Sequence, residues 1–520
     1  MDEFESTKLS KVQFSTSVLS TPSNEGNNLI HRFKNSFKRN DSPAIQEGLL
    51  YSELSEEEKI QWDLANQPYK KVLDQRHLTM IAIGGTLGTG LFIGLGESLA
   101  SGPASLLIGF LLVGASMLCV VQCGAELSCQ YPVSGSYALH ASRFIDPSVG
   151  FSIGINYLLM WLISYPSELV GCGGPDSTGY IGTKYWHDPG SFAVPVFKNL
   201  CNTFVSAAYS FSGTEMVVLT STEARSVSSV SRAAKGTFWR IIIFYIVTVI
   251  IIGCLVPYND PRLISGSSSE DITASPFVIA LSNTGAMGTR VSHFMNAVIL
   301  IAVFSVCNSC VYASSRLIQG LATAGQLPKI CAYMDRNGRP LVGMAICGAF
   351  GLLGFLVVSK NQGTVFTWLF ALCSISFFTT WFCICFCQVR FRMAMKAQGR
   401  SKDDIIYRST LGIYGGIFGC ILNVLLVIGE IYVSAAPVGS PSSAANFFEY
   451  CMSIPIMIAV YIGHRIYRRD WRHWYIKRMD IDLDSGHSLE DFEATKLERD
   501  EDKKYVSSKP LYYRIYRFFC

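Results

Sequence analysis

The stretch from Thr79 to Ala100, TMIAIGGTLGTGLFIGLGESLA, is long enough to cross a lipid bilayer, yet it is rich in glycine. A membrane-spanning helix needs about 20 apolar residues. Glycines stand where a simple anchor would have leucine: Gly84, Gly85, Gly88, Gly90 and Gly94. Backbone that is broken at membrane depth is tolerated only where it faces protein or a solvated cavity. The stretch therefore predicts an interrupted helix, which is typical of transporter binding sites.

A second segment, AAYSFSGTEMVVLTSTEA at Ala207–Ala224, has the same character because it carries Gly213 and the acidic Glu215 in mid-span. The alternative interpretation of the glycines is close helix packing, for which spacings such as Gly84-x-x-x-Gly88 are suited. Four glycines and two threonines within residues 84–90 exceed what packing needs. Two interrupted segments favour a carrier.

Composition limits the function classes. The chain has 520 residues, of which 49% are hydrophobic and 16% charged, and its mean hydropathy of +0.30 predicts a membrane protein with many spans. A net charge of +4 without a nucleic-acid-binding motif argues against a nucleic acid partner. The 17 cysteines show no zinc spacing, so we predict no metal, cofactor or disulfide framework. No span carries a catalytic pair, so we predict no enzymatic activity and no catalytic residue.

Ten long apolar runs predict the spans and leave three regions: a disordered cytosolic tail at 1–75, a transmembrane domain at 76–468 and a cytosolic tail at 469–520. Basic residues before the first run and after the fourth, sixth and eighth place both termini in the cytosol. The apolar runs lie near 79–100, 104–124, 149–171, 199–221, 239–257, 291–314, 341–358, 364–389, 411–436 and 447–467.

The two interrupted segments suggest what is carried. Half-helix N-termini offer partial positive charge to a carboxylate, while free carbonyls accept from an ammonium group, so an α-amino acid satisfies both. Carboxylates in mid-membrane are costly and mark proton relays or ligand sites. Of Glu126, Glu168 and Glu215, we predict Glu215 first and Glu168 second as the group that carries a coupled proton.

Several motifs carry a specific resemblance: RHLTMIAIGGTLGTGLFIGL, FSGTEMV, LVPYNDPRL, NAVILIAVFSVCNSCVYASSR and YRIYRFFC. They resemble the fungal amino acid permeases of the plasma membrane, of the general type, within the amino acid–polyamine–organocation superfamily. The resemblance implies an all-α polytopic fold with twelve spans, an inverted five-plus-five repeat with broken first and sixth helices, and proton symport of amino acids. Tail lysines such as Lys8 and Lys34 would then be candidate targets of ubiquitin-ligase machinery.

The resemblance also implies roles for individual residues. The substrate carboxylate would be bound at the first break, and the ammonium at carbonyls of both breaks, with Tyr209 or Phe211 as an aromatic gate. Glu168 would influence side-chain preference, and Ser305 and Asn308 would line the cavity. The implied substrate-binding set is Thr86, Gly88, Thr89, Gly90, Glu168, Tyr209, Phe211, Ser212, Ser305 and Asn308, with Glu215 for proton coupling.

The chain departs from the family where Cys172 joins Gly173 directly. Relatives continue from the third span through a fourth and a fifth before the outer loop that GGPDSTGYIGTKYW resembles, so two spans, roughly 60–70 residues by span length, are absent. About ten spans are therefore expected here instead of twelve. The alternatives to a working permease are an amino acid sensor and an inactive shortened form from an incomplete gene model.

Overall fold

The structure, a computed structural model, describes residues 73–484 apart from several gaps, of which 171–185 and 264–274 are the longest, and a few residues further on. The predicted N-terminal tail and the Cys172–Gly173 junction therefore lie outside the described residues. The described part is α-helical, and its β-type pairing is limited to an isolated parallel bridge between Leu73 and Ala224.

The helices follow the apolar runs of the sequence. They are α1 Gln75–Thr86, α2 Leu95–Leu99, α3 Pro103–Gln130, α4 Ser136–Phe144, α5 Pro147–Val170, α6 Val196–Phe211, α7 Met216–Leu219, α8 Val227–Leu255, α9 Pro276–Ser282, α10 Ala286–Thr323, α11 Leu341–Gly351, α12 Gln362–Ala397, α13 Gly412–Ala435, α14 Ala444–Cys451 and α15 Ser453–Arg468.

Local chemistry sets where α3 and α5 begin. Gly102 has φ +96°, a conformation that glycine adopts without strain, and Pro103 follows at the first helical position, where its missing N–H is no loss. Asp146 precedes Pro147, and its carboxylate accepts a hydrogen bond from the Ser148 backbone N–H at 2.8 Å. This is the contact that an acidic N-cap residue makes.

Five helical segments of the described residues are long and apolar enough to cross a membrane: Pro103–Gln130, Pro147–Ser164, Ser229–Leu255, Ala297–Thr323 and Gly412–Ala435. A shorter apolar segment covers Leu341–Phe355. The predicted total of ten spans and the predicted repeat symmetry are not tested by these assignments. What the structure supports is a polytopic helical membrane protein.

The core lies where α3, α5, α6 and α12 meet. α3 packs against α6, α8, α12 and α13, while α5 packs between α10 and α12. Large side chains fill the contacts, and Trp161 of α5 and Trp381 of α12 are almost completely buried. The two interrupted segments pack within this frame, because α6 contacts α3 and α1 contacts both α8 and α10.

A buried ion pair joins α3 to α12 near their C-terminal ends. Glu126 is fully buried, and its two carboxylate oxygens each accept a hydrogen bond from Arg392 at 2.6 Å. Gln388 and the Ser409 backbone N–H donate to the same carboxylate at 3.0 and 2.7 Å. Glu126 was one of the candidate proton carriers, and these four donors make it a structural anchor instead.

The segment after α15 also packs on the helices. Ile481 and Leu483 are buried, and the Tyr131 hydroxyl donates to the Leu483 carbonyl at 2.9 Å. The Ile476 N–H donates to the Ile145 carbonyl at 2.8 Å. Part of the region predicted as a tail at 469–520 is therefore bound to the domain.

We predict that Arg392→Gln lowers the free energy of unfolding by roughly 3–5 kcal/mol, because it leaves Glu126 buried without its ionic partner. The measurement is the melting temperature of the purified protein in detergent. Arg400→Gln is the matched control, since Arg400 and Asp484 form an exposed pair at 2.5 Å that contributes about 1 kcal/mol or less. Equal melting temperatures for the two variants would contradict the anchoring role.

Candidate functional site

The first interruption lies between α1 and α2. The α-helix ends at Thr86, residues 87 and 88 are irregular, and a π-helical turn covers Gly90–Gly94. The Gly88 N–H donates to the Thr86 carbonyl at 3.1 Å, and the Gly88 carbonyl accepts from both Leu91 and Phe92 at 3.1 Å. Turn hydrogen bonds thus partly replace the helical ladder at the predicted break.

The second interruption lies between α6 and α7. The helix ends at Phe211, and Ser212 caps it through a hydroxyl that donates to the Tyr209 carbonyl at 2.7 Å. Gly213 follows with φ +91° in a region that favours glycine, and Glu215 is the residue before α7 begins. Both helix breaks predicted from the glycines are therefore present.

The two breaks are in direct contact. A Cβ atom at Gly213 would lie 2.5 Å from the Gly85 carbonyl oxygen, and a Cβ atom at Gly90 would lie 2.8 Å from the Ser210 nitrogen. Separations below 3.0 Å leave no room for any side chain. Glycine is therefore required at both positions, because each break packs against the backbone of the last helical turn before the other break.

Tyr245 of α8 joins the two breaks from the side. Its hydroxyl lies 2.9 Å from the Thr86 carbonyl and 2.5 Å from the Ser210 carbonyl, within hydrogen-bond distance of both. The side chain is fully buried, and its ring packs edge to face on Phe211 with centroids 5.0 Å apart. The sequence analysis missed Tyr245, although its polar hydroxyl within the apolar run IIIFYIVTVIII was a usable signal.

The predicted binding residues of the second break lie in different surroundings. Phe211 is buried between Phe110 and Tyr245, which places its ring in the core next to α3 and α8. Tyr209 packs edge to face against Phe377 of α12 at 5.9 Å. Of the two candidates for an aromatic gate, Tyr209 fits that role better, because it packs beside the Gly90 turn.

Two other predicted residues, Ser305 and Asn308 of α10, have exposed side chains. The Ser305 hydroxyl is close to the first break, because a Cβ atom at Gly84 would lie 2.7 Å from it. Thr89 lies outside the described residues. Glu168 belongs to α5, but its side chain also lies outside the described part of the chain.

Glu215 is buried beside the second break. Its side chain is 0% exposed, and one carboxylate oxygen lies 3.5 Å from the Tyr157 hydroxyl. The other oxygen has no hydrogen-bond partner among the described residues, and no described Lys, Arg or His forms an ion pair with it. The Tyr137 hydroxyl donates to the Glu215 backbone carbonyl at 2.8 Å, which fixes the residue in place.

A further set of contacts joins the start of α1 to the segment that follows α7, at the ends that lie away from the breaks. The Leu73 N–H donates to the Glu223 carbonyl at 3.0 Å next to the Leu73–Ala224 bridge. The Glu223 carboxylate pairs with Arg316 and accepts from the Tyr312 hydroxyl at 2.9 Å, both on α10. The sequence analysis missed this closure, because its three parts are distant in the chain.

Two alternatives for the location of a site are not favoured. A cavity of about 500 Å³ lies between α5, α12, α13 and α15, but it has an almost entirely apolar lining and none of the break residues borders it. Within the described residues, no group of three or more His, Cys, Asp or Glu side chains could hold a metal ion. The paired breaks remain the candidate site.

Two broken helices that meet inside a polytopic bundle, with a buried carboxylate beside them, define a membrane carrier. Residues 77–174 and 169–477 match the family model for amino acid permeases. The chain belongs to the amino acid permease family, and it is a transporter rather than an enzyme. The two matched stretches overlap at 169–174. The motifs predict the missing segment at the Cys172–Gly173 junction, which lies within this overlap.

Curated relatives support membership of the same family. The S-methylmethionine permease 1 of Saccharomyces cerevisiae is 89% identical over 583 positions that cover 100% of each chain. An S-adenosylmethionine permease of the same yeast is 63% identical over 579 positions, covering 99% of each chain, and its general amino-acid permease is 41% identical over 94% of this chain and 91% of that one. Because this chain has 520 residues, at least 63 positions of the first alignment have no counterpart in it.

Among solved structures, a manganese transporter of Eremococcus coleocola overlaps with 80% of this chain and 96% of its own, at a TM-score of 0.37 and 12% identity. A likeness this weak adds nothing to the assignment. The membership rests on the family model and on the curated relatives.

We predict that Gly213→Ala destabilises the protein, because a side chain would meet the Gly85 carbonyl and the φ of +91° alone costs about 1–3 kcal/mol for a residue other than glycine. The measurement is the melting temperature in detergent. Gly348→Ala in α11 is the matched control, because a Cβ atom there would meet nothing within 4 Å. The control gains roughly 0.5–1 kcal/mol from replacing glycine in a helix. Equal tolerance of both substitutions would exclude the tight contact between the breaks.

Proposed function

We propose that this protein imports amino acids with protons across the plasma membrane by alternating access, with both termini in the cytosol, and that sulfonium amino acids are among its substrates. The observation that carries the proposal is the contact between two broken helices beside the buried Glu215. The relatives named as S-methylmethionine and S-adenosylmethionine permeases support the substrate class.

The breaks suit the two ends of an α-amino acid. The π-helical turn at Gly90–Gly94 begins a half-helix, whose N-terminal N–H groups favour a carboxylate. The carbonyls of Thr86 and Phe211 accept hydrogen bonds from Tyr245 and Thr214. Each carbonyl also accepts a backbone N–H, that of Gly88 for Thr86 and that of Thr214 for Phe211, so a substrate ammonium would replace one of these turn donors.

Glu215 is the proposed proton carrier. A carboxylate in the membrane interior without an ionic partner is costly in its charged form, so protonation or a bound cation is needed to stabilise it there. Glu126 and Glu223 are held by Arg392 and Arg316, which leaves them less suited to exchange a proton with solvent.

We predict that uptake of a radiolabelled amino acid with a neutral side chain by transport-deficient cells that express this protein is faster at acidic than at neutral external pH, since protons are co-transported. Glu215→Gln removes this difference because an amide cannot carry the proton. Glu430→Gln is the control, because Glu430 of α13 is also a fully buried carboxylate but is not next to a break. An unchanged pH response in Glu215→Gln would contradict the assignment.

We propose in addition that the chain lacks two consecutive membrane helices between α5 and α6. The split match at 169–174 and the 63 or more unmatched positions support this. So does one face of α10, where Ile301 and Phe304 are 71% and 58% exposed together with the polar Ser305 and Asn308. Polar side chains on a span are normally turned toward other helices rather than lipid.

Met80 of α1 is 69% exposed, and Gly84 lies next to Ser305, so the uncovered face reaches the first break. A transport site open to lipid cannot isolate its substrate during alternating access. We therefore expect the 520-residue form to transport more slowly than a form that carries the two helices.

The test is to insert the unmatched segment of the yeast S-methylmethionine permease 1 between Cys172 and Gly173. We predict that the insertion restores uptake at equal surface expression, because the added helices cover α10. A scrambled apolar segment of the same length is the control. Equal uptake with and without the insertion would show that the exposed face needs no cover.

A further inference from the structure

A cluster of buried aromatic side chains lies next to the Glu215 carboxylate. Tyr157 of α5 lies 3.5 Å from one of its oxygens, and Tyr137 of α4 packs edge to face on Tyr157 with centroids 5.3 Å apart. Trp161 packs edge to face on the other side of Tyr157 at 6.0 Å, and the Trp381 indole of α12 lies beside the carboxylate. We call Tyr137, Tyr157, Trp161 and Trp381 the aromatic wall.

The aromatic wall is buried, and none of the described cationic side chains forms an ion pair with Glu215 there. Each of its rings is at most 2% exposed, and Glu215 is 0% exposed. The free oxygen of Glu215 and the Trp381 indole nitrogen both lack a hydrogen-bond partner of normal geometry among the described residues. A buried carboxylate in this condition is unfavourable unless a ligand or a proton compensates its charge.

Aromatic faces around a single negative charge are suited to an onium ion. A quaternary or sulfonium group has no N–H to donate, so it is recognised by ring faces and by a nearby charge rather than by hydrogen bonds. A lysine or arginine would instead need several acceptors to satisfy its donors. The aromatic wall provides ring faces and one carboxylate, which matches a sulfonium better than an ammonium or a guanidinium.

We propose that Glu215 and the aromatic wall form the subsite for the sulfonium group of the substrate. The inference rests on the proposed function. Glu215 lies two residues after the Ser212–Gly213 break, where the α-amino acid group would bind. In S-methylmethionine two methylene groups separate the α-carbon from the sulfonium, so the two ends of the substrate occupy neighbouring sites.

The same subsite predicts discrimination against methionine. Methionine has the same chain but a neutral thioether, so it cannot compensate the buried charge of Glu215. In the sulfonium complex Glu215 is charged and the substrate cation compensates it, so Glu215 carries a proton only together with substrates that lack a side-chain cation.

The experiment measures binding rather than transport, so that it does not depend on the absent helices. The purified 520-residue protein in lipid nanodiscs binds radiolabelled S-methylmethionine, which is displaced by unlabelled S-methylmethionine or methionine. We expect Glu215→Gln to weaken S-methylmethionine binding about tenfold or more, with methionine affinity changed less than about twofold. Glu215→Asp keeps the charge and retains part of the preference.

Matched variants separate this role from a structural one. Tyr157→Phe keeps the ring face and is expected to keep the preference for S-methylmethionine, whereas Tyr157→Leu removes the face and lowers it. Glu430→Gln removes a buried carboxylate elsewhere and leaves the preference unchanged. Melting temperatures identify any variant that does not fold.

The outcomes are distinct. Equal weakening of both ligands in Glu215→Gln, or a preserved preference, overturns the sulfonium subsite but not amino acid binding. Failure of the parent protein to bind either amino acid overturns the proposed function in this chain, and the subsite with it.

Discussion

The packing of each helix break against the backbone of the last helical turn before the other break is the constraint on which the rest of this structure depends. Inside a bilayer, an unpaired N–H or C=O costs several kcal/mol, so helices break only where other groups receive the freed backbone. Here the Gly85 carbonyl faces Gly213, and Gly90 faces Ser210. The Tyr245 hydroxyl lies within hydrogen-bond distance of a carbonyl next to each break, Thr86 and Ser210. The interruption of one helix is therefore stabilised by the interruption of the other.

The acidic side chains divide according to their partners. Glu126 and Glu223 are each held by an arginine and a hydroxyl, amide or backbone donor, and they fasten helices to one another at positions away from the breaks. Among the described residues, the Glu215 carboxylate has a tyrosine hydroxyl at 3.5 Å and neighbouring rings, but no ionic partner. A buried carboxylate without an ionic partner is costly in its charged form, which is why the proton-carrying role is proposed for Glu215 and not for the two paired carboxylates.

The exposed face of α10 has a different origin. A complete membrane bundle turns polar side chains inward, yet Ser305 and Asn308 are exposed beside the first break. The family match is divided into two stretches that overlap at 169–174, between α5 and α6, and the proposed absence of two helices would account for both the division and the exposed face. The remaining helices retain the contacts between the breaks, because these involve α1, α6, α7 and α8, all of which are present.

The sequence by itself determined the helical membrane class, both helix breaks and the candidate carboxylate Glu215. Glycine clusters indicate where a helix can break, and charges within apolar runs indicate side chains that are costly to place in the membrane. Both signals are local in the sequence. The tertiary structure decided that Arg392 pairs with Glu126, that Phe211 packs in the core, that Tyr245 contacts both breaks and that the aromatic wall lies next to Glu215. These roles depend on contacts between α3, α5, α8 and α12, which lie far apart in the chain, and no local pattern specifies which side chains meet across such distances.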